Sequence, residues 1–461
     1  MCRTRIEGRD ETYMQLPRDE VISVHHTEGF PPHLTYTYHS SQYLKVNMTK
    51  PTILLLGTCD TKLNELLYTR TQLESQANVI LLDLGRASST DPRIDIKQSD
   101  IIKQPSLDIS KLDRAEYIDR LLPPATGIVK QLYEGRKIHG AIGIGGSCGT
   151  ALATGVMRNA LPVGFPKLMV STMASGDVSP YIEETDITMM YSVVDIAGTN
   201  RILNRILCNA AAAICGMGLA YFAAGSGESS EKEGKKRVGV TMFGVTTPGV
   251  DKIREYLEQH HGYEVYVFHA TGAGGKAMER LVNEGQLDAV LDLTTSEIAD
   301  EIGGGVLTAG PKRLEAAARA GIPQVVSVGA CDMINFGPSE TIPAQYKERL
   351  IHCHNPTVTL VRTSPEECEQ IAMFIAQKLR VSSRTDFVRV ILPTGGISML
   401  DMPGLSFHDP AEDSVLFSTL EKHLEGSGIP ILRHECDVND PEFAVFVAKS
   451  LVELIEMAMQ H

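Results

Sequence analysis

Apolar runs of strand length alternate with segments of helix length from Thr52 onward. In the first half of the chain the apolar runs predict strands at 52–56, 79–84, 141–144, 167–171 and 188–194. Helices are predicted at 62–76, 114–134, from 150 onward and at 199–222. Strands that alternate with helices are typical of a mostly parallel, doubly wound sheet. We therefore predict an α/β domain over residues 50–225.

A second series of the same kind fills the rest of the chain, and we predict a second α/β domain over residues 237–461. Its strands are predicted at 237–243, 264–269, 289–293, 324–328, 357–361, 388–392 and 430–433. The last helix carries Phe443, Phe446, Val447, Leu451, Leu454 and Ile455 at the three- and four-residue spacing of a core-facing stripe.

Two segments lack this periodicity. Residues 1–49 are polar and show no sustained period, which predicts a poorly ordered N-terminal arm. Residues 226–236 consist mainly of Gly, Ser, Glu and Lys, which predicts a linker. The predicted fold class is therefore α/β, with two doubly wound, mostly parallel-sheet (Rossmann-like) domains.

Composition narrows the function classes. A formal net charge of -14 and a pI near 5.5 argue against nucleic acid or an anionic membrane as a partner, because both would be repelled at long range. The apolar stretch 210–224 is interrupted by Gly216 and Gly218 and falls short of the ~18 residues of a membrane span, so we predict a buried helix there. The cysteines include no Cys-x-x-Cys pair, and we expect a cytoplasmic protein.

Two glycine-bearing turns carry the candidate chemistry. They are Gly57-Thr-Cys-Asp-Thr-Lys62 and Gly143-Ile-Gly-Gly-Ser-Cys-Gly-Thr150, and each follows a predicted strand and precedes a predicted helix. Such turns expose backbone N–H groups at a helix start, where phosphate or carboxylate binds. The sequence therefore predicts an anion-binding cleft, with a nucleotide as its ligand.

In the first turn, Thr58 and Asp60 offer oxygen atoms and Lys62 offers a cation. Asp60 is also a favoured cap residue, so capping and ligand contact both remain open for it. Lys62 in a first helical turn opposes the helix dipole, and a bound anion nearby would remove that conflict.

In the second turn, Gly145, Gly146 and Gly149 allow a ligand to approach the backbone, and Ser147 and Thr150 offer hydroxyl groups. The alternative is a tight turn without a ligand. A third wall of the cleft is predicted from Thr172, Ser175 and Gly176, for which a plain Ser/Thr turn is the alternative. Cys148 has no His near it in sequence, so we do not assign it as a nucleophile.

The second half offers weaker signals. The stretch 271–277 resembles a phosphate-binding loop but lacks its first glycine and its final hydroxyl residue, and we predict a second anion site there rather than NAD binding. His352 and His354 could bind a metal if they share a strand face, but histidines beside loops are more often surface groups. We assign no metal ligand.

With these motifs in view, the chain resembles the uncharacterised family that includes the plant tomato mosaic virus resistance protein. The resemblance runs from about Thr52 to the end, and it rests on the blocks 57–62, 143–150, 166–176, 192–198, 238–248, 267–272 and 327–338. Family resemblance implies an ATP site in the N-terminal region and a homodimer. Carried onto this sequence, the ATP contacts are Asp60, Lys62, Gly145, Gly146, Ser147, Gly149 and Thr150, together with Thr172, Ser175 and Gly176.

Three functions follow as hypotheses. The first is an ATP-binding protein in which Asp60 holds Mg²⁺ beside the phosphates. The second is an ATP-dependent enzyme that acts on a small metabolite between the domains with Asp332, Asn335 and His354. The third is a nonenzymatic module that binds a protein partner, because the plant relative inhibits viral replication by binding the viral replication protein. No catalytic residue is assigned, and whether the protein is an enzyme stays open.

Overall fold

The computed structural model describes residues 13–15, 21–23, 50–102, 111–225 and 234–460. The chain divides into two units, residues 1–50 and 51–461. In the first unit, strands β1 (Tyr13–Gln15) and β2 (Val21–Ser23) pair antiparallel. The rest of the predicted arm lies outside the described residues, as does most of the predicted linker.

The first half of residues 51–461 forms a five-stranded sheet in which every strand pair is parallel. The strands are β3 (Thr52–Gly57), β4 (Asn78–Asp83), β5 (Gly140–Gly145), β6 (Lys167–Ser171) and β7 (Thr188–Tyr191). The helices are α1 (Cys59–Glu74), α2 (Gln98–Ile101), α3 (Arg114–Glu134), α4 (Ser147–Ala160), α5 (Ser179–Ile182) and α6 (Arg201–Gly225). A short 3-10 helix, Thr172–Ser175, follows β6.

Helices cover both faces of this sheet. Leu54 and Leu56 pack with α3 and α4 in one core, whereas Ile53 and Leu55 pack with α1 and α6 in the other. Residues of β3 are thus buried on both sides, which explains its uninterrupted apolar run. The strand order is β4-β3-β5-β6-β7, so the order along the chain reverses between β3 and β5.

The second half contains a six-stranded sheet with the order β16-β15-β11-β10-β8-β9, again parallel throughout. Its strands are β8 (Arg237–Met242), β9 (Glu264–His269), β10 (Ala289–Thr294), β11 (Gln324–Gly329), β15 (Val388–Pro393) and β16 (Ile431–His434). Its helices are α7 (Thr247–His261), α8 (Ala273–Asn283), α9 (Ser296–Gly303), α10 (Glu315–Ala320), α11 (Pro365–Leu379), α12 (Pro410–Leu424) and α13 (Pro441–Met459). The predicted fold class, α/β with two doubly wound parallel sheets, is confirmed.

One predicted strand belongs elsewhere. The run predicted at 357–361 is β14 (Val358–Arg362), which pairs antiparallel with β12 (Met333–Phe336) and β13 (Ile351–Asn355) in a separate three-stranded sheet. A short β-branched run fits either kind of sheet, because its partners are chosen by distant parts of the chain. The prediction that it continues the parallel series is therefore wrong.

Helix α6 also differs from expectation. It is 25 residues long, and its most apolar 18-residue window has a mean hydropathy of 1.8, so it could cross a membrane by length and composition alone. Only 33% of that window is buried. Leu203, Leu207 and Ile214 pack on the sheet, while Ile202 and Leu219 are exposed. The predicted buried helix is thus buried on one side only.

Candidate functional site

The two predicted turns meet at the reversal of strand order in the first sheet. Gly57 at the end of β3 pairs with Ile144 of β5. Helix α1 then leaves over one face of the sheet and α4 over the other, as their separate cores show. In open α/β sheets, ligands bind in the crevice outside such a reversal, at the carboxyl ends of the strands. The structure therefore brings the turns of Lys62 and Ser147 to one edge of the sheet.

The first turn is held together by its own polar atoms. The Thr58 carbonyl accepts the N–H groups of Thr61 and Lys62, at 3.2 and 2.9 Å. Asp60 accepts the N–H groups of Arg86 and Ala87 on Oδ2, at 2.9 and 3.1 Å, so its carboxylate fastens the loop after β4 to α1.

Lys62 departs from helical geometry, with φ of -128°. Its side chain is half-buried, and its ammonium has no hydrogen bond or ion pair with any residue that the structure describes. A lysine in a first helical turn without an acidic partner leaves a positive charge for an anionic ligand.

Asp83, at the end of β4, is a site neighbour that the sequence reading missed. Its Oδ1 accepts the N–H groups of Cys59 and Gly85, at 2.9 and 2.7 Å. Burial raises the pKa of Asp83, and burial together with the nearby Asp83 carboxylate raises the pKa of the Cys59 thiol. The first N–H of α1 is thus occupied by the protein's own carboxylate. An acidic residue that ends an otherwise apolar strand was the available signal.

The second turn is open by comparison. Gly146 precedes α4 with φ of -79°, and no side chain caps the helix. Among the described residues, no acceptor bonds the N–H groups of Ser147, Cys148 or Gly149. A Cβ on Gly145 would lie 2.8 Å from the Cα of Gly149, so a glycine is needed there for the turn to close. These three N–H groups at the start of α4 can donate hydrogen bonds to an anion.

Thr150 supports the turn from behind. It is buried, and its Oγ1 lies 2.6 Å from Oγ of Ser171 at the end of β6. Thr172 follows, and its Oγ1 is the nearest atom, at 3.8 Å, to a Cβ built on Gly146. Ser175 and Gly176 are exposed at the end of the 3-10 helix. The predicted third wall therefore begins beside α4.

Two cavities lie away from this crevice. One of about 940 Å³ lies between α3, α4 and α8, and another of about 1070 Å³ lies beside the start of α6. Neither is lined by a residue of the two predicted turns, nor by Asp332, Asn335 or His354. The crevice is therefore assigned from topology and free amides, not from cavity volume.

The glycine-rich stretch of the second half is filled from within. Glu297 accepts the N–H groups of Gly272 and Gly275 on Oε1, at 2.7 and 3.0 Å, and its Oε2 accepts from Arg313 Nε at 2.8 Å. A Cβ on Gly275 would lie 2.1 Å from Glu297 Oε2. The prediction of a second site for an anionic ligand at 271–277 is wrong, because a buried carboxylate occupies the start of α8.

The three polar residues of the enzyme hypothesis, Asp332, Asn335 and His354, each have different neighbours in the structure. Asp332 accepts from Ser398 Oγ at 2.7 Å, and burial raises its pKa to about 6. Asn335 donates to Asp300 through its backbone N–H, at 2.5 Å, and its side-chain amide, at 3.1 Å. His354 is exposed on β13.

His352 and His354 both lie on strand β13, the placement on which a metal role for them was made to depend. His352 Nδ1 lies 3.2 Å from Ser406 Oγ. Among the described residues, no group of three or more His, Cys, Asp or Glu side chains has the arrangement of a metal site.

Comparison with known sequences matches both halves to one family. The profile of the UPF0261 N-terminal domain covers residues 51–223, and that of the UPF0261 C-terminal domain covers residues 235–455; both are described as an uncharacterised protein family. A UPF0261 protein of Clostridium tetani (strain Massachusetts / E88) is 45% identical over 410 residues, which is 88% of this chain and 99% of that protein.

Two tomato proteins match as well. The ToMV resistance protein Tm-1(GCR237) of Solanum lycopersicum is 45% identical over 322 residues, which is 69% of this chain and 42% of that protein.

A crystal structure of UDP-N-acetylglucosamine 2-epimerase matches 60% of this chain and 79% of that one, but at 11% identity and a TM-score of 0.19 it supports no argument.

Proposed function

We propose, from the premise that this chain belongs to the uncharacterised protein family UPF0261, that it binds ATP in the crevice between the ends of β3 and β5. The phosphates accept hydrogen bonds from the start of α4 and are neutralised by Lys62. The resemblance to the family of the tomato proteins points to ATP as the nucleotide, and the unoccupied amides at the start of α4 support a bound phosphate physically.

The contrast between three helix starts carries the proposal. The first amide of α1 is bound by Asp83, and two amides at the start of α8 are bound by Glu297. At α4, the amides of Ser147, Cys148 and Gly149 lack any such acceptor in the described part of the chain. Backbone N–H groups at a helix start favour an anion electrostatically and by hydrogen bonding. Of these three helix starts, the one at α4 therefore has backbone N–H groups available for an external anion.

Magnesium fits this site as part of the ligand. Mg²⁺ keeps several waters and is commonly held by substrate phosphates with one or two carboxylates. Asp60 is the carboxylate predicted for this site, but its Oδ2 already accepts the N–H groups of residues 86 and 87. We therefore propose that the metal enters with the triphosphate and meets Asp60 through water or through its other oxygen.

A homodimer built on α6 is part of the proposal. The exposed side of α6 carries Ile202, Ala212, Ala213, Gly216, Leu219 and Ala220. An apolar face of this length is unusual on a monomer and marks an interaction site. Two copies packed about a twofold axis would bury this apolar face against itself.

Isothermal titration calorimetry of the full chain with ATP and Mg²⁺ tests the proposal. We expect saturable binding of one nucleotide per chain, and loss of most of the affinity in Lys62→Met. Folded wild-type protein that releases no heat and gains no thermal stability with Mg-ATP would overturn the proposal. The same proposal places the protein in the cytoplasm, where ATP is available and where exposed thiols such as that of Cys353 stay reduced.

A further inference from the structure

An exposed apolar patch lies beside the proposed phosphate site. Met173, Tyr191 and Val193 are 37%, 41% and 59% exposed. The remaining large apolar side chains that are exposed in 50–102 and 111–225 are Ile202 and Leu219, both on α6. Exposed apolar groups in this half of the molecule thus gather at two places, and one of them is the carboxyl edge of β6 and β7.

The strand register places this patch on the α4 side of the sheet. Tyr191 pairs with Ser171, and Ser171 Oγ contacts Thr150 in the first turn of α4. Side chains alternate along a strand, and Met189, two residues before Tyr191, packs in the core formed with α3 and α4. Tyr191 therefore projects on the same side as the start of α4, but one strand beyond β6.

Val193 is held outward by its backbone. Its φ is 62°, which is rare for a β-branched residue. The N–H of Val194 bonds the carbonyl of Ser192 at 2.7 Å, which closes a three-residue turn around Val193. The turn keeps an apolar side chain in solvent, next to Tyr191.

The two ends of the crevice differ in polarity. On the β4 side stand Lys62 and the loop 85–90, whose residues are Gly, Arg, Ala, Ser, Ser and Thr. On the β7 side stand the ring of Tyr191 and the side chains of Met173 and Val193. A nucleotide has a highly charged end and a flat apolar base, and these two ends of the crevice match it in one direction only.

We propose that Tyr191, with Met173 and Val193, forms the base-binding surface of this nucleotide site. This inference rests on the proposed function and gives the ligand its direction: the triphosphate points toward Lys62, and the base lies on Tyr191. From β5 to β7 the crevice spans two strand spacings, or roughly 9.6 Å, which suits a ribose placed between phosphates at α4 and a base at β7. Aromatic rings bind any base through its flat face.

Two ligands separate the base from the phosphates in the test. The full chain is titrated calorimetrically with ATP and with inorganic tripolyphosphate, in the same buffer with Mg²⁺. In Tyr191→Ala we expect ATP to bind about 5- to 150-fold more weakly, the range that stacking of one base on an aromatic ring supports. Binding of tripolyphosphate should be unchanged. Tyr191→Phe should keep ATP binding, and Val381→Ala, a change at an exposed apolar side chain just after α11, should leave the binding of both ligands unaffected.

The outcomes distinguish this inference from the proposal beneath it. If the wild type binds neither ligand, the phosphate site itself is wrong and the base surface falls with it. If Tyr191→Ala binds ATP as tightly as the wild type, the phosphate site stands and the proposal of a base-binding surface at Tyr191 is overturned. Equal weakening of ATP and tripolyphosphate overturns it too, since Tyr191 would then act through the turn and not through the base.

Discussion

Gly57 and Ile144 are register partners at the carboxyl ends of β3 and β5, and the helices that follow these strands depart over opposite faces of the sheet. This relationship makes a crevice out of two turns that are far apart in sequence. It also brings the turn that contains Lys62 to the same edge of the sheet as the turn that begins α4, and a polyphosphate bound at this edge could meet both turns.

Removal of the Lys62 charge should weaken ATP binding without loss of stability. A hydrogen bond to a charged group contributes about 1.5–3 kcal/mol, so Lys62→Met should bind ATP roughly 10- to 150-fold more weakly. Lys62→Arg should keep much of the affinity. The urea midpoint should not move, because no ion pair of Lys62 exists among the described residues. Unchanged calorimetric affinity in Lys62→Met would show that the phosphates lie elsewhere.

Alanine at two neighbouring glycines should have opposite effects. In Gly145→Ala the new Cβ would meet the backbone of Gly149 at 2.8 Å, so we expect a loss of stability of about 1–3 kcal/mol. In Gly146→Ala the nearest atom is Thr172 Oγ1 at 3.8 Å, and a φ of -79° suits alanine. That variant should fold normally and bind ATP more weakly, because its methyl group enters the crevice. Urea unfolding and calorimetry of both variants check the contrast; equal behaviour would contradict it.

Asp332 should make the protein less stable as the pH rises. Burial raises its pKa from 3.8 to about 6, against the opposing effect of the Arg362 guanidinium. The folded state therefore binds the proton more tightly than the unfolded state. This contribution is present in full below pH 4 and is lost as the pH rises through 6; it amounts to roughly 3 kcal/mol.

The matched test compares Asp332→Asn with Asp251→Asn, an exposed carboxylate. Urea unfolding at pH 4.5 and pH 7 should show a smaller loss of stability over this interval in Asp332→Asn than in the wild type. Asp251→Asn should follow the wild type. A pH dependence that Asp332→Asn leaves intact would mean that other groups cause it.

A charge on the exposed side of α6 should separate the proposed dimer. Ala213 is exposed in the middle of this helix, and a glutamate there would be buried without a partner when two copies pack. We expect Ala213→Glu to sediment as a monomer at concentrations where the wild type is a dimer. Ala320→Glu, an exposed alanine on α10, is the control. A monomeric wild type, or a dimeric Ala213→Glu, would remove α6 as the interface.

The fold was predictable because its signals are local. Strands such as Lys167–Ser171 and Glu264–His269 coincide with apolar runs bounded by turns. The pairing of β14 could not be predicted in the same way. A five-residue run of Val, Thr, Leu, Val and Arg indicates a strand but not which strands lie beside it. The exposure of one side of α6 could not be predicted either, because alanine and glycine occur both in tightly packed interiors and on surfaces.

The candidate site was predictable in position but not in its internal contacts. Glycines, hydroxyls and a lysine after apolar strands indicated the turns, yet the same signal at 271–277 marks a loop that Glu297 fills. Only the three-dimensional structure shows which amides are already taken, since Asp83 and Glu297 are distant in sequence from the helices they cap. The exposure of Tyr191 likewise depends on loops that the strand pattern does not describe.

A crystal structure of the full chain soaked with a slowly hydrolysed ATP analogue and Mg²⁺ tests the central claim most directly. The account predicts phosphate oxygens within hydrogen-bonding distance of the N–H groups of Ser147, Cys148 and Gly149, with the Lys62 ammonium beside the same phosphates. Nucleotide density in the cavity of about 940 Å³ between α4 and α8, with these amides still unbound, would contradict it.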